Sequence, residues 1–282
     1  MLSYRHAFHA GNHADVLKHI TLVLTLDYYC QKDKPFWYID THSGAGVYAL
    51  HGMEAQKTRE YIHGIQTLLQ APQPPAVLEH YLTLVQQLNP PQKLLHYPGS
   101  PWIAAQCLRA QDSLYLFELH PSDTQHLREN FQHNKRTHIN QQDGLNGLIS
   151  LLPPNTRRAV TLIDPSYELK SDYHDVITTL CKARKRLANG TYLLWYPVIQ
   201  RQRINTMIRE FQNSGIPDIL QIELCISADH DGLGMTGSGL FIINPPWILA
   251  QHMRELLPWL QQHLAQSGGH YTVCQITPET AQ

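Results

Sequence analysis

The sequence predicts an α/β protein built on one open, mostly parallel sheet with helices on both faces. Short apolar runs of strand length alternate along the chain with longer segments of helical periodicity, the order that parallel sheets require. Four of these runs lead into an acidic residue, Asp40, Glu118, Asp143 and Asp164. In open parallel sheets, ligands sit beyond the carboxyl ends of the strands, near the switch in strand order. The 282 residues, 43% hydrophobic and 16% charged, suit one large domain with an insertion.

The elements follow in chain order. Val16, Leu17, Ile20, Val23 and Leu24 recur at helical spacing, predicting a helix from His13 to Gln31 capped by Asn12, with Asp15 in its positive first turn. Lys34-Pro35 breaks the chain before a buried strand, Phe36 to Ile39, that ends at Asp40. Residues 50–95 interrupt the alternation: Lys57 to Gln70 and Ala76 to Leu88 read as a helical hairpin joined by Pro72, Pro74 and Pro75 and closed by Pro90-Pro91. The expected division is therefore 1–49 plus 96–282 as the main domain and 50–95 as a helical insertion.

Ser100-Pro101 reads as a cap and first-turn pair for a helix to about Ala110. Leu114 to Phe117 is a strand ending in Glu118, and Pro121-Ser122-Asp123 opens a helix. A short strand near His138-Ile139 leads to Asp143-Gly144, and a helix from Leu145 to Leu152 precedes the strand Ala159 to Ile163. Helices at Tyr173–Leu187, Arg201–Asn213 and Trp247 to about Ala265 alternate with strands at Tyr192–Tyr196, Ile219–Ile226, Gly239–Ile243 and His270–Gln275.

Composition excludes several classes. With 22 Lys+Arg against 23 Asp+Glu, the chain is no strongly basic coat protein, although an RNA enzyme with phosphate contacts on one face remains open. No apolar run approaches the ~20 residues that span a bilayer. Met1 to His13 is polar and lacks the apolar core of a secretion signal. Five scattered cysteines without a CxxC pair point to reduced thiols in a cytoplasmic protein. The 18 histidines include no HExxH-type spacing, so no metal is expected.

Two motifs carry chemistry. Asp40-x-x-x-Gly44-x-Gly46 is a nucleotide-site turn, where small residues let backbone approach a ligand. Neither GxGxxG nor GxxxxGK[ST] occurs, which disfavours dinucleotides and nucleoside triphosphates. A nucleoside cofactor without phosphate, S-adenosylmethionine, fits better. Glu118 is placed to hold ribose hydroxyls and Asp143 an adenine amine, with Gly144 leaving room beside the ring.

The second motif is Asp164-Pro165-Ser166-Tyr167, directly after a buried strand. Its carboxylate and the Pro165 carbonyl can accept hydrogen bonds from an exocyclic NH2, and Tyr167 can stack on the base. The usual form of this amine-methylating motif has a second proline where Ser166 stands. Asn244-Pro245-Pro246-Trp247 keeps both prolines, but it follows a strand expected to run antiparallel, which turns it away from the cofactor cleft. Lys182 to Arg186 is a cationic run at a helix C-terminus, where cations are favoured, with RNA contact as the alternative. Lys57 and Arg59 are further candidates for RNA contact.

The opening block Met1 to His19, with Asp40-Thr41-His42, Tyr97 to Pro101, Glu118 to Pro121 and Trp195-Tyr196-Pro197, resembles the RlmJ family of bacterial 23S rRNA adenine-N6 methyltransferases over essentially the whole chain. The resemblance implies a Rossmann-like S-adenosylmethionine-dependent methyltransferase with a small inserted helical subdomain, acting on one adenine of 23S rRNA; a monomer without metal or membrane partner is expected. It places cofactor contacts on His19, His42, Ser100, Glu118, Asp143, Gly144 and Asp164. It makes Asp164 the catalytic acceptor beside Pro165 and Tyr167, and it associates Tyr4, His6 and Lys18 with the target RNA. The competing readings are a DNA adenine-N6 methyltransferase, a non-catalytic RNA-binding module on a degenerate methyltransferase fold, and a small-molecule N-methyltransferase.

Overall fold

The computed structural model describes residues 5–230 and 234–279. In chain order the elements are α1 (His13–Cys30), β1 (Trp37–Asp40), β2 (Val47–Ala49), α2 (Met53–Thr58), α3 (Ile65–Gln70), α4 (Ala76–Gln87), β3 (His96–Pro98), α5 (Ser100–Cys107) and β4 (Ser113–Phe117). They continue with α6 (Pro121–Phe131), β5 (Thr137–Asn140), α7 (Gly144–Leu151), β6 (Ala159–Ile163), α8 (Asp172–Arg186) and β7 (Thr191–Val198). The last are α9 (Arg201–Asn213), β8 (Ile219–Cys225), β9 (Gly237–Ile243), α10 (Leu249–Leu264) and β10 (His270–Thr277).

Eight strands form one sheet in the order β10-β8-β9-β7-β6-β1-β4-β5. The run β7-β6-β1-β4-β5 is parallel throughout. Strand β9 runs antiparallel to both β7 and β8, and β10 runs antiparallel to β8. From β1 the chain steps to β4 and β5 on one side, whereas β6 and β7 lie on the other. The switch in strand order therefore falls between β1 and β6, and that opens a crevice beyond their carboxyl ends.

Strand β6 shows why a parallel strand reads as a nearly unbroken apolar run. All five of its residues are buried, because helices cover both faces. Val160 and Leu162 join the core that contains α1, α5 and α10, while Ala159 and Ile163 join the one formed with α7, α8 and α9. Helix α1 starts as its sequence dictates: the Asn12 side chain accepts from the Ala14 and Asp15 N–H groups. Such a cap contributes about 1 kcal/mol.

The insertion departs from the expected hairpin. The stretch predicted as one helix from Lys57 to Gln70 is α2, a 3₁₀ turn at Glu60–His63, and α3. Arg59 adopts a left-handed conformation (φ 54°) and Gly64 a non-helical one (φ −112°, ψ −112°), which stops the periodic pattern from propagating. Helices α3 and α4 bury Ile65, Leu68, Leu78, Tyr81, Leu84 and Val85 in the core that contains α1. A short antiparallel ladder, β2 with β3, ties the two ends of the insertion together. Neither strand was expected, since three residues are too few to show a period.

Candidate active site

The carboxyl ends of β1, β4 and β6 bring Asp40, Glu118 and Asp164 to one rim, with Asp143 following β5. Asp164 is partly exposed, and its Oδ2 accepts from the Lys18 ammonium at 2.5 Å. Lys18 also pairs with Asp15 Oδ1 at 2.8 Å, and Asp15 Oδ2 lies 2.9 Å from His6 Nε2. Asp15 further accepts the Gly11 N–H at 2.9 Å. The result is one chain of polar contacts, His6, Asp15, Lys18 and Asp164, running from the start of α1 to the end of β6.

This network corrects one expectation. Lys18 does not reach outward to RNA phosphate; it is buried, on the same helix face as Asp15 one turn before it. Asp15 stands in the first turn of α1 as expected, and it is a buried partner there. Burial disfavours both charges, yet each is outweighed by its partners: Asp15 and Asp164 hold the Lys18 pKa well above its ordinary value, while His6 and Lys18 hold Asp15 well below its own. A Lys three residues after an Asp was the available signal. His6 sits in a 3₁₀ turn against the Tyr48 ring, and Tyr4 lies outside the described residues.

Asp164 Oδ1 has no hydrogen-bond partner among the described residues, and neither has the buried Pro165 carbonyl. Tyr167 follows in a left-handed conformation (φ 54°), with its hydroxyl donating to the Trp195 carbonyl at 2.6 Å. Its ring packs on Tyr173 and Trp195 and is only 6% exposed. The next residues, 168–171, are exposed.

Asp40 is fully buried and accepts from the Tyr38 hydroxyl at 2.8 Å, the Ser100 hydroxyl at 2.7 Å and the His42 N–H at 3.2 Å. Burial pushes its pKa up to about 6 despite these donors. Ser100 thus spends its hydroxyl on Asp40. The helix N-cap is Gly99, not Ser100, and Pro101 stands in the first turn as expected. His42 is partly buried and bonded through Nδ1 to the Thr41 hydroxyl at 2.8 Å. Burial lowers its pKa to about 4, against the pull of Asp164 and Asp143.

Glu118 braces the turn after β1: its Oε2 accepts the Gly44 N–H at 2.8 Å and its Oε1 the His120 N–H at 2.7 Å. Burial raises its pKa. Gly44 has φ 57°, so a left-handed turn alone explains the glycine. Asp143 caps α7 by accepting the Asn146 N–H at 2.8 Å. Gly144 is required for a reason the sequence did not show. A Cβ there would stand 1.9 Å from the Thr41 carbonyl oxygen, so the glycine lets α7 press against the turn after β1.

Other features lie elsewhere. Asn244 donates to the Ala188 and Gly190 carbonyls, beside the amino end of β7 and opposite the Asp164 rim. The cationic run 182–186 ends α8 at that same far end, where Arg186 donates to the Leu152 carbonyl. Two groups with metal-ligand chemistry, Asp27/His80/Cys107 and Glu223/Cys225/His270, form from residues scattered in sequence. In the second, Glu223 is already paired with the Arg201 guanidinium.

A family model described as "Ribosomal RNA large subunit methyltransferase D, RlmJ" matches residues 33–277. The chain is 51% identical to ribosomal RNA large subunit methyltransferase J of Escherichia coli (strain K12), over 99% of this chain and 100% of that protein. It is 47% identical to the protein of that name from Haemophilus influenzae, with 99% and 100% covered. A crystal structure of a Legionella pneumophila protein, 36% identical, superposes with a TM-score of 0.88 over 95% of this chain and 98% of that one. No helix among the described residues is long and apolar enough to cross a membrane. With matched sequence over nearly its full length and the sheet and rim described above, the chain belongs to the RlmJ family of ribosomal RNA large subunit methyltransferases.

Proposed function

We propose that this enzyme transfers a methyl group from S-adenosylmethionine to the N6 amine of one adenine in 23S rRNA, in the cytoplasm and as a monomer. The observation that carries the reading is the pair of unpartnered acceptors at one point of the rim, Asp164 Oδ1 and the Pro165 carbonyl. An NH2 group has two hydrogens, and two acceptors on adjacent residues match it.

The residues fit the cofactor. Among the described residues the buried His19 Nε2 has no hydrogen-bond partner, which leaves it available to a ligand group. Glu118 is half-buried at the carboxyl end of β4 and keeps acceptor capacity beyond its two backbone bonds. His19, His42, Ser100, Glu118, Asp143, Gly144 and Asp164 would hold the cofactor. When bound, it supplies an electrophilic sulfonium methyl.

The protein's own work is orientation. The adenine amine is a weak nucleophile because its lone pair is delocalised into the ring. Accepting both of its N–H groups at Asp164 and Pro165 favours a pyramidal nitrogen with a directed lone pair. Lys18 fixes one carboxylate oxygen and thereby presents the other. Asp164 takes up developing positive charge and the departing proton. Tyr167 supplies the ring for the extruded base, which must gain a face now buried against Tyr173 and Trp195. Lys57 and Arg59, on the 50–95 insertion subdomain, extend the RNA footprint. The test is methylation of 23S rRNA lacking the modification, with nucleoside analysis of the digest. N6-methyladenosine is expected; label on another base or on protein overturns the proposal.

A further inference from the structure

We infer that Tyr97 of β3, with Tyr81 of the insertion bonded behind it, is a positioning residue that sets the tautomer of His19, so that its Nε2 carries the hydrogen and offers it to the cofactor's carboxylate; this rests on the reading that His19 contacts the cofactor. The three groups form one buried line. Tyr81 Oη lies 2.9 Å from Tyr97 Oη, and Tyr97 Oη lies 2.8 Å from His19 Nδ1. Both tyrosines are fully buried and His19 is 1% exposed. The His19 and Tyr97 rings stack at 5.5 Å.

The hydrogens can be counted. Burial holds His19 neutral, so the line carries two hydroxyl hydrogens and one imidazole hydrogen. Among the described residues the Tyr81 hydroxyl has one partner, Tyr97. If Tyr81 donates to Tyr97 and Tyr97 donates to His19 Nδ1, every hydrogen is used except the one on Nε2. If instead His19 donates from Nδ1, either the Tyr81 or the Tyr97 hydrogen is stranded in the core, and the Nε2 lone pair is stranded as well. Two orphaned groups are worse than one, and a buried polar group without a partner is strongly disfavoured. The direction of the line therefore runs from α4 to α1, and the single unpaired donor emerges at Nε2. An N–H donor selects the carboxylate of the amino-acid portion over its ammonium.

The consequence is that a hydroxyl on β3 tunes the cofactor pocket through His19. The full chain tests this by long-range ¹H–¹⁵N correlation of the His19 imidazole, in wild type, Tyr81→Phe and Tyr97→Phe. Wild type and Tyr81→Phe are expected to show an unprotonated Nδ1 and a protonated Nε2, and Tyr97→Phe a mixture of tautomers. S-adenosylhomocysteine affinity should fall about tenfold in Tyr97→Phe and stay within about twofold of wild type in Tyr81→Phe, with KM for S-adenosylmethionine in Tyr97→Phe rising more than kcat falls. A protonated Nδ1 in wild type, or His19 resonances unmoved by Tyr97→Phe, overturns the inference. His19→Asn, which keeps an atom near Nδ1 and removes the Nε2 position, isolates the underlying reading. Unchanged S-adenosylhomocysteine affinity in that variant, with wild-type tautomers as expected, overturns the cofactor contact alone.

Discussion

Substituting Gly144 by alanine tests how the cofactor end of the sheet is assembled. The added Cβ would stand 1.9 Å from the Thr41 carbonyl oxygen and 2.6 Å from its carbonyl carbon. Ordinary contact begins at 3.4 Å, so a gap of about 1.5 Å must open between α7 and the turn after β1. Both sides of the clash are backbone, and no side chain can swing away to absorb it. Overpacking of this kind costs about 1–3 kcal/mol of stability. The shift carries Asp143 at the cap of α7 away from Thr41 and His42, and displacements of ~1 Å can cost about 100-fold in a positioned site. Urea unfolding should therefore show a lower midpoint with an unchanged slope, and calorimetric titration with S-adenosylhomocysteine should show at least about tenfold weaker binding. Wild-type stability together with wild-type affinity would refute the close-approach account of this glycine.

Other changes have definite expected outcomes. Lys18→Met leaves Asp15 and Asp164 without their buried ammonium and should cost about 3 kcal/mol and at least 100-fold in methyl transfer; adding Asp15→Asn should restore stability but not turnover, and restored turnover would contradict the role given to Lys18. Ser166→Pro removes no hydrogen bond among the described residues, so methyl transfer should stay within about threefold of wild type, and loss of activity would show that the Ser166 N–H matters. Stability should fall as pH drops from 6.5 toward 4, because His13 and His42 are each lowered to about 4 by burial and the unfolded chain takes up those protons first. Asp40, raised to about 6, works the other way between 6 and 3.8, since its folded form is protonated first. Two histidines at about 3 kcal/mol each outweigh one aspartate of similar size, so urea unfolding at pH 4.5 should give the lower stability; equal stability at pH 7 and 4.5 would contradict the burial of these groups.

The parallel core was legible because both faces of its strands are covered. Runs such as Ala159 to Ile163 are apolar but for one threonine, and those of β1, β4 and β6 are each followed by an acid. Asn12 and Pro101 mark helix starts by chemistry that acts within four residues, so local sequence reports it. The insertion was less legible, since the left-handed Arg59 and the three-residue β2 and β3 carry no periodic signature. At the site, the strand-end acids could be read, but their partners could not. The 2.5 Å pairing of Lys18 with Asp164 spans 146 positions, and the Tyr81–Tyr97–His19 line joins three separate elements. Gly144 was expected to make room for a ring, and the close approach of the Thr41 carbonyl, a second demand on it, left no mark in the local sequence.

The claim on which the rest depends is that Asp164 grips the amine during transfer. Single-turnover methylation of unmodified 23S rRNA by Asp164→Ala, beside wild type at saturating S-adenosylmethionine, tests it most directly. A rate at least about 100-fold below wild type, with the folded state and RNA binding retained, is predicted. N6-methyladenosine formed by Asp164→Ala at close to the wild-type rate would contradict it.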